Sequence, residues 1–290
     1  MVYRVQRRFL APIPFYVWDA LFKLPVRVSV HLIPRSSRPF LTRFLGLGEK
    51  VNLVYFQLLV DMKKVRAVLF DLDNTLVDFV RMKGEACQAA VDAMINAGLK
   101  MDRETAYTRL MRMYFEVGIE SDRAFTKFLE SEGQFRHKLL AAAINAYLTV
   151  KNEYLKPYLN VKQTLRKLKE AGVMLVVVTD APKTKAYQRL LAMNIEGYFD
   201  FVVGFEDTNQ KKLNGLPLKL AVEKLKEKMP DIDNDEVLMV GDSLRRDLHP
   251  AKKLGLNTAL AKYGQNVEEK GKADYELMDI IDVLAIIQPG

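Results

Sequence analysis

The sequence predicts an α/β fold, a parallel sheet with helices on both faces, interrupted after its first strand by an inserted α-helical cap. Three observations lead there. Short apolar runs recur from Val65 onward, each stopping at a polar residue or glycine. Helical stretches of about ten residues separate the later runs, the arrangement that right-handed βαβ crossovers produce. Between Asp78 and Pro157 the apolar residues keep a helical period, and no strand-like run intervenes.

Val65 to Phe70 is the first strand, an apolar run feeding a polar turn at Asp71. Four helical stretches follow, at about 80–97, 103–117, 122–132 and 136–154. In these, Ala89, Ala90, Ala93 and Ala97, and later Leu139, Ala143, Ala146 and Tyr147, recur at helical spacing and predict a small bundle. Beyond it come helix 161–171, strand 173–178 ending at Thr179, helix 183–193 and strand 199–203 ending at Gly204. A helix from Leu218 to Met229 after Pro217, strand 237–240 ending at Gly241-Asp242, helix 247–254 and strand 257–261 complete the pattern. Ligands of open parallel sheets bind beyond the carboxyl ends of the strands, and Asp71, Thr179 and Asp242 all stand there. The expected division is a catalytic core from 62–79 and 156–290, with the cap, 80–155, leaving and returning directly above the site.

At 290 residues, 49% hydrophobic and 28% charged, the chain has the composition of an ordinary soluble protein of about two domains. Its single cysteine, Cys87, excludes an intrachain disulfide framework and a thiolate zinc cluster, and fits a reducing, cytoplasmic setting. Cys87 falls within a cap helix, where packing is its expected role. Apolar runs are broken by charged residues within about ten positions, short of the ~20 that a bilayer span needs. His31, His137 and His249 show no ligand spacing, and no serine has matching His and Asp partners.

The formal charge of +8 is unevenly placed: residues 1–64 carry 11 basic and 3 acidic side chains, and the remainder is balanced at 33 of each. The basic excess is therefore no argument that the main body binds nucleic acid, and none is expected as a partner. Residues 1–61 hold Pro12, Pro14, Pro25, Pro34 and Pro39, with arginines interleaved among aromatic residues and no sustained period. This basic N-terminal extension suits an anionic membrane surface or a protein partner, a transit-like leader, or sequence upstream of a start at Met62, just before the first strand.

Four groups of residues carry candidate chemistry. In Asp71-Leu72-Asp73-Asn74-Thr75, extended geometry points two carboxylates to one side, where they can hold a hard divalent cation such as Mg²⁺ and divide nucleophile and proton-donor work. Such a pair also serves as a plain turn or cap. Thr179 offers a hydroxyl for phosphate oxygens or for a helix cap, a task open to Asp180 as well. Lys211 and Lys212 offer an ammonium to screen a nucleophile, or a solvated pair. Gly241-Asp242-Ser243-Leu244-Arg245-Arg246-Asp247 sets two acids five residues apart at a helix start, able to complete a metal site or to cap the helix.

Taken together and in this order, Asp71-x-Asp73-x-Thr75, Thr179, Lys212 and Gly241-Asp242-Ser243-x-x-x-Asp247 resemble the four motifs of the haloacid dehalogenase (HAD) superfamily of aspartate-nucleophile phosphotransferases. The resemblance covers about 65–290, and the helical insertion after the first motif resembles the type 1 cap subgroup. It implies a Rossmann-like core and a hydrolase of the phosphatase branch. Lys156-Pro157-Tyr158 and Leu216-Pro217-Leu218-Lys219-Leu220-Ala221 further resemble archaeal glyceraldehyde 3-phosphate phosphatases.

By this resemblance Asp71 attacks phosphorus and becomes an aspartyl-phosphate, and Asp73 protonates the leaving oxygen and then activates water. Mg²⁺ would be held by Asp71, the backbone carbonyl of Asp73 and Asp242. Thr179 and Lys212 would bind the phosphoryl oxygens, with Ser243 and Asp247 in support. An acid at Asp73 disfavours the dehalogenase branch, which lacks one there. Three positions depart from the usual pattern: Asn74 for glycine, Leu213 for the proline after the motif lysine, leaving Lys211 as a substitute, and Leu159-Asn160 near Pro157.

The expected activity is Mg²⁺-dependent hydrolysis of a small phosphorylated metabolite, with a triose phosphate first among substrates. Nucleoside monophosphate and phosphoglycolate phosphatases are the enzymatic alternatives, and a phosphomutase would use the same aspartate. A non-catalytic protein recruited through residues 1–61 is the alternative of a different kind.

Overall fold

The structure is a computed structural model and describes residues 65–287; the extension expected at 1–61, and the start considered at Met62, lie outside the described residues. Its first strand, β1 (Ala67–Phe70), runs into a loop and then helix α1 (Phe79–Asn96). Helices α2 (Arg103–Val117), α3 (Ala124–Ser131) and α4 (His137–Tyr154) follow without a strand. Alternation then begins with α5 (Val161–Glu170), β2 (Met174–Val178), α6 (Lys183–Ala192) and β3 (Phe201–Val203). It continues through α7 (Leu216–Lys228), β4 (Val237–Gly241), α8 (His249–Lys253), β5 (Asn257–Ala261), β6 (Tyr275–Leu277) and α9 (Val283–Ile286).

All six strands are parallel, in the order β3-β2-β1-β4-β5-β6. β1 is central, with Ala67 in register with Met174 on one side and Val237 on the other. Successive side chains alternate faces. Val68, Phe70, Val177 and Val240 pack with Leu165, Ala186, Leu190 and Val283. Ala67, Leu69, Val176 and Met239 pack on the other face with Leu218, Leu225 and Ala251. Because both faces are covered, the strands read as continuous apolar runs rather than alternating ones. The strand order reverses between β1 and β4, which opens a crevice at their carboxyl ends.

The helical insertion has its own core, in which Cys87, Ala90, Met94, Leu110, Phe128, Leu139 and Ala143 are buried together. Its root is tied at both passages. Asp78 caps α1 by accepting from the Arg81 amide at 3.0 Å, Val77 bridges Pro157, and the Tyr158 amide donates to the Leu76 carbonyl at 3.0 Å.

Two of the unusual residues have a backbone reason. Asn74 and Asn160 adopt left-handed conformations, with φ of 61° and 67°, and asparagine tolerates that region better than other non-glycine residues. Asn74 also accepts from the Val80 amide at 3.1 Å, joining the loop after β1 to the first turn of α1. On the other side Tyr263 donates to the Thr75 carbonyl at 2.8 Å, and a Cβ at Gly264 would fall 1.6 Å from the Asn74 carbonyl oxygen. No side chain but hydrogen fits there.

The helix expected over 247–254 divides into a π turn, Leu244–Leu248, and the short α8. Helix α7 begins earlier than expected and takes Pro217 into its first turn, where a missing amide costs nothing. β6 and α9 were not expected; Tyr-Glu-Leu is too short and too polar for a period to register. Among the described residues no helix is long and apolar enough to cross a membrane.

Candidate active site

The loop after β1 positions the first two acids. Asp71 continues the sheet pairing, its amide donating to the Val240 carbonyl at 2.9 Å, and its side chain is buried. The chain then turns at Asn74, and Asp73 bridges Val77 instead of extending the strand. The two carboxylates consequently meet different cations: Asp71 Oδ1 pairs with Lys212 Nζ, and Asp73 Oδ1 lies 3.3 Å from Arg189 Nε. They do not share an ion-pair partner among the described residues.

Lys212 sits in a short 3₁₀ turn after β3, with its amide bound to Asp180 Oδ1 at 2.7 Å. Its ammonium also contacts Asp247 Oδ1 at 2.7 Å, so that it bridges two carboxylates brought together from opposite ends of the chain. Lys211 is exposed, and the geometry chooses Lys212 between them. Leu213 occupies the 3₁₀ turn without disturbing that contact.

Asp247 reaches the site because of the π turn. One more residue in the turn swings its carboxylate back under β4, where Oδ2 accepts from the Ser243 amide at 3.1 Å. A Cβ at Gly241 would meet that oxygen at 2.6 Å, so glycine is required there. Ser243 accepts from the Arg246 amide at 3.1 Å and donates to Glu269 at 2.9 Å. Thr179 is buried at the end of β2, where its Oγ1 accepts from the Ala181 amide at 3.1 Å and its hydroxyl proton remains to be donated. Asp180 is engaged with Lys212 rather than with a helix cap.

Asp71, Asp242 and Asp247 each place a carboxylate oxygen within 4.8 Å of the others. Burial pushes the Asp71 pKa well above the usual range, even against the pull of Lys212. Burial and the neighbouring Asp247 push Asp242 up to about 6. Burial also works against charge on Lys212, but Asp247 and Asp71 outweigh it and hold the ammonium protonated. Three acids thus face the buried Lys212 and the exposed Arg246, whose Nη2 is 3.3 Å from Asp242. This crowded, oxygen-only donor set fits a hard divalent cation. Asp247 belongs to that cluster, whereas the Asp73 carboxylate faces Arg189.

Several neighbours lay beyond the motif reading. Arg189 is buried, stacks 4.7 Å from the Phe79 ring centroid, and pairs with Glu120 of the insertion as well as with Asp73. The signal for it was a basic residue on the apolar face of α6, among Ala186, Leu190 and Met193. Burial raises the Asp73 pKa, and Arg189 restrains the rise. Lys83 of α1 is buried between Tyr114 and Tyr147.

Comparison with known proteins follows the same lines. The profile of the haloacid dehalogenase-like hydrolases matches residues 68–261. Glyceraldehyde 3-phosphate phosphatase from Pyrococcus furiosus is 29% identical over 232 residues, 78% of this chain and 95% of that protein. Phosphoglycolate phosphatase from Aquifex aeolicus is 30% identical over 200 residues, 69% of this chain and 86% of that one. Among solved structures, a HAD phosphatase from Thermococcus onnurineus superposes with a TM-score of 0.57 at 22% identity, covering 77% of this chain and 98% of that one.

Proposed function

Because the chain belongs to the haloacid dehalogenase-like hydrolase family, we propose that the crevice between β1 and β4 hydrolyses a small phosphorylated metabolite through an aspartyl-phosphate on Asp71. The protein is a phosphoric monoester hydrolase, as its relatives are; the metal, the substrate and the residue roles are our inference. The observation that carries them is the separation of the two acids: Asp71 is buried against Lys212, and Asp73 stands apart on Arg189.

Asp71 Oδ attacks phosphorus as the bond to the leaving oxygen breaks, and Asp73, whose raised pKa suits a proton donor, protonates that oxygen. Water then attacks the phosphorus of the aspartyl-phosphate, Asp73 takes its proton, and the Asp71 carboxylate is regenerated with inorganic phosphate. Lys212 and the free hydroxyl proton of Thr179 hold the phosphoryl oxygens. Asp71, Asp242 and the backbone carbonyl of Asp73 would hold Mg²⁺, which when bound supplies neutralising charge to the nucleophile and the phosphoryl group. Ser243 and Asp247 keep Asp242 and Lys212 in place.

Glyceraldehyde 3-phosphate is the first substrate to test, on the strength of the Pyrococcus furiosus relative, and phosphoglycolate, from the Aquifex aeolicus relative, is the second. Phosphate release from a panel of these, nucleoside monophosphates and p-nitrophenyl phosphate, with Mg²⁺ and with EDTA, tests the proposal. Turnover should require the divalent ion and favour compounds of two or three carbons. A folded, Mg²⁺-supplied protein that releases no phosphate from any compound would overturn it.

Arg189 holds Asp73 in this scheme. Arg189→Ala should cost about a hundredfold in kcat/KM on alkyl phosphates, whose leaving oxygen needs a proton. The loss on p-nitrophenyl phosphate, with its better leaving group, should be at least tenfold smaller. Equal losses on both would mean that Arg189 serves the fold and not Asp73.

A further inference from the structure

Basic side chains gather on the insertion's side of Asp73: Arg189 pairs with it, and Lys83, Lys151 and Lys185 lie close enough to feel that charge or one another's. Phe79, whose ring carries Arg189, lies on the same face of α1 as Lys83 one turn on. Four residues of helix advance about 6 Å, so Lys83 stands just past the Asp73–Arg189 pair, on the insertion's side. Its Nζ is 3.5 Å from the Tyr114 ring centroid and 4.9 Å from that of Tyr147, and donates to the Tyr147 hydroxyl at 3.0 Å.

The acids at this junction are already engaged. Glu120 pairs with Arg189, and Asp122 with Lys185 at 2.7 Å. Among the described residues no carboxylate forms an ion pair with Lys83, although only 4% of its surface is exposed. Lys151, half-buried on α4 one turn beyond Tyr147, is also without an ion pair among the described residues. Burial, helped by Lys151, takes Lys83 down to about 8, and burial together with Arg189 and Lys185 lowers Lys151. A buried ammonium with rings and a hydroxyl for company is partly stabilised, but its charge remains uncompensated until an anion arrives. The tyrosines meanwhile fix its position, so an incoming carboxylate meets a preorganised partner.

We propose that Lys83 and Lys151, with the Tyr147 hydroxyl, form a subsite for a carboxylate at the far end of the substrate. Resting on the phosphatase reading above, this selects short phosphorylated hydroxy acids over phosphorylated aldehydes or alcohols of the same length. It separates the two activities borne by the relatives, and it favours the acid.

Steady-state phosphate release should be compared for 2-phosphoglycolate, 3-phosphoglycerate, glyceraldehyde 3-phosphate, glycerol 3-phosphate and p-nitrophenyl phosphate. With the wild type, kcat/KM for the acids should exceed that for the aldehyde and alcohol at least tenfold. Lys83→Met should raise KM for the acids ten- to a hundredfold, with a loss on p-nitrophenyl phosphate at least tenfold smaller. Lys151→Met, at a half-buried position where folding is less at stake, should show the same selectivity with a smaller rise. A wild type that prefers the aldehyde or alcohol, or variants that lose all substrates in parallel, would overturn the subsite and leave the phosphatase standing. No release from any compound, p-nitrophenyl phosphate included, would remove the phosphatase reading and the subsite with it.

Discussion

Asp71→Asn should abolish turnover, by at least about ten-thousandfold, while leaving the protein as stable as the wild type in EDTA or more so. The two halves of this result have one cause. Asp71 is buried beside Asp242 and Asp247, and its ionised form is disfavoured there in spite of Lys212. An amide of the same shape still accepts from Lys212 and carries no charge for Asp242 and Asp247 to repel, so folding gains what catalysis loses. It also attacks phosphorus poorly. Thermal melts with and without Mg²⁺, set beside phosphate release, check the prediction: the melting temperature in EDTA should hold or rise, and its increase on adding Mg²⁺ should shrink. Retained turnover would exclude Asp71 as the nucleophile.

Lys212→Met should have the opposite effect on stability. Its side chain is 3% exposed and bridges Asp71 and Asp247, themselves almost wholly buried. Removing that lysine leaves two carboxylates uncompensated, a loss of about 3–5 kcal/mol. For a chain of this size that lowers the melting temperature by roughly 6–20 °C. Activity should fall with it, since the same ammonium is proposed to hold the phosphoryl group.

The pH dependence of that loss has a definite sign. Asp71 and Asp242 have folded pKa values raised above their unfolded ones, Asp242 to about 6. Such groups contribute stability that is complete below the unfolded pKa and is lost as pH rises through the folded one. The deficit of the variant should therefore grow from pH 5 to pH 8, and Mg²⁺ should restore part of it by taking over the charge. A variant that melts like the wild type at pH 8 in EDTA would show that the bridge carries no stability.

Most of the sheet was legible because its strands are buried on both faces. Val65–Phe70, 173–178, 199–203, 237–240 and 257–261 are apolar runs with no solvent side to dilute them, and each found a strand in the structure within two residues of its ends. β6 escaped because it is an edge strand of three residues with Tyr275 and Glu276 exposed. Asp71, Thr179 and Asp242 stood out as candidates because each directly follows a strand, whereas Lys212 and Asp247 lie in turns farther along the chain.

What spacing could not carry was direction. Asp73 turns toward Arg189 because the chain folds back at Asn74, and Asp247 turns inward through a π turn that no period betrays. Arg189, Glu120 and Lys83 belong to separate helices and loops, and their meeting depends on how the insertion rests on the sheet. That is a tertiary fact, invisible in any one segment.

The central position of β1 also governs the order in which the molecule can be made. Arg66 at its base is hydrogen-bonded to Glu236, 170 residues away, and β1 has no neighbour on that side until β4 has been synthesised. At ribosomal rates of about 5–20 residues per second, that wait is roughly 10–30 s. The insertion, whose core runs from Cys87 to Ala143 without interruption, can close during the delay. A nascent chain can therefore carry a packed helical lobe for many seconds before β1, already paired with β2, gains β4 on its other side, and a chain released before β4 lacks the crevice between β1 and β4.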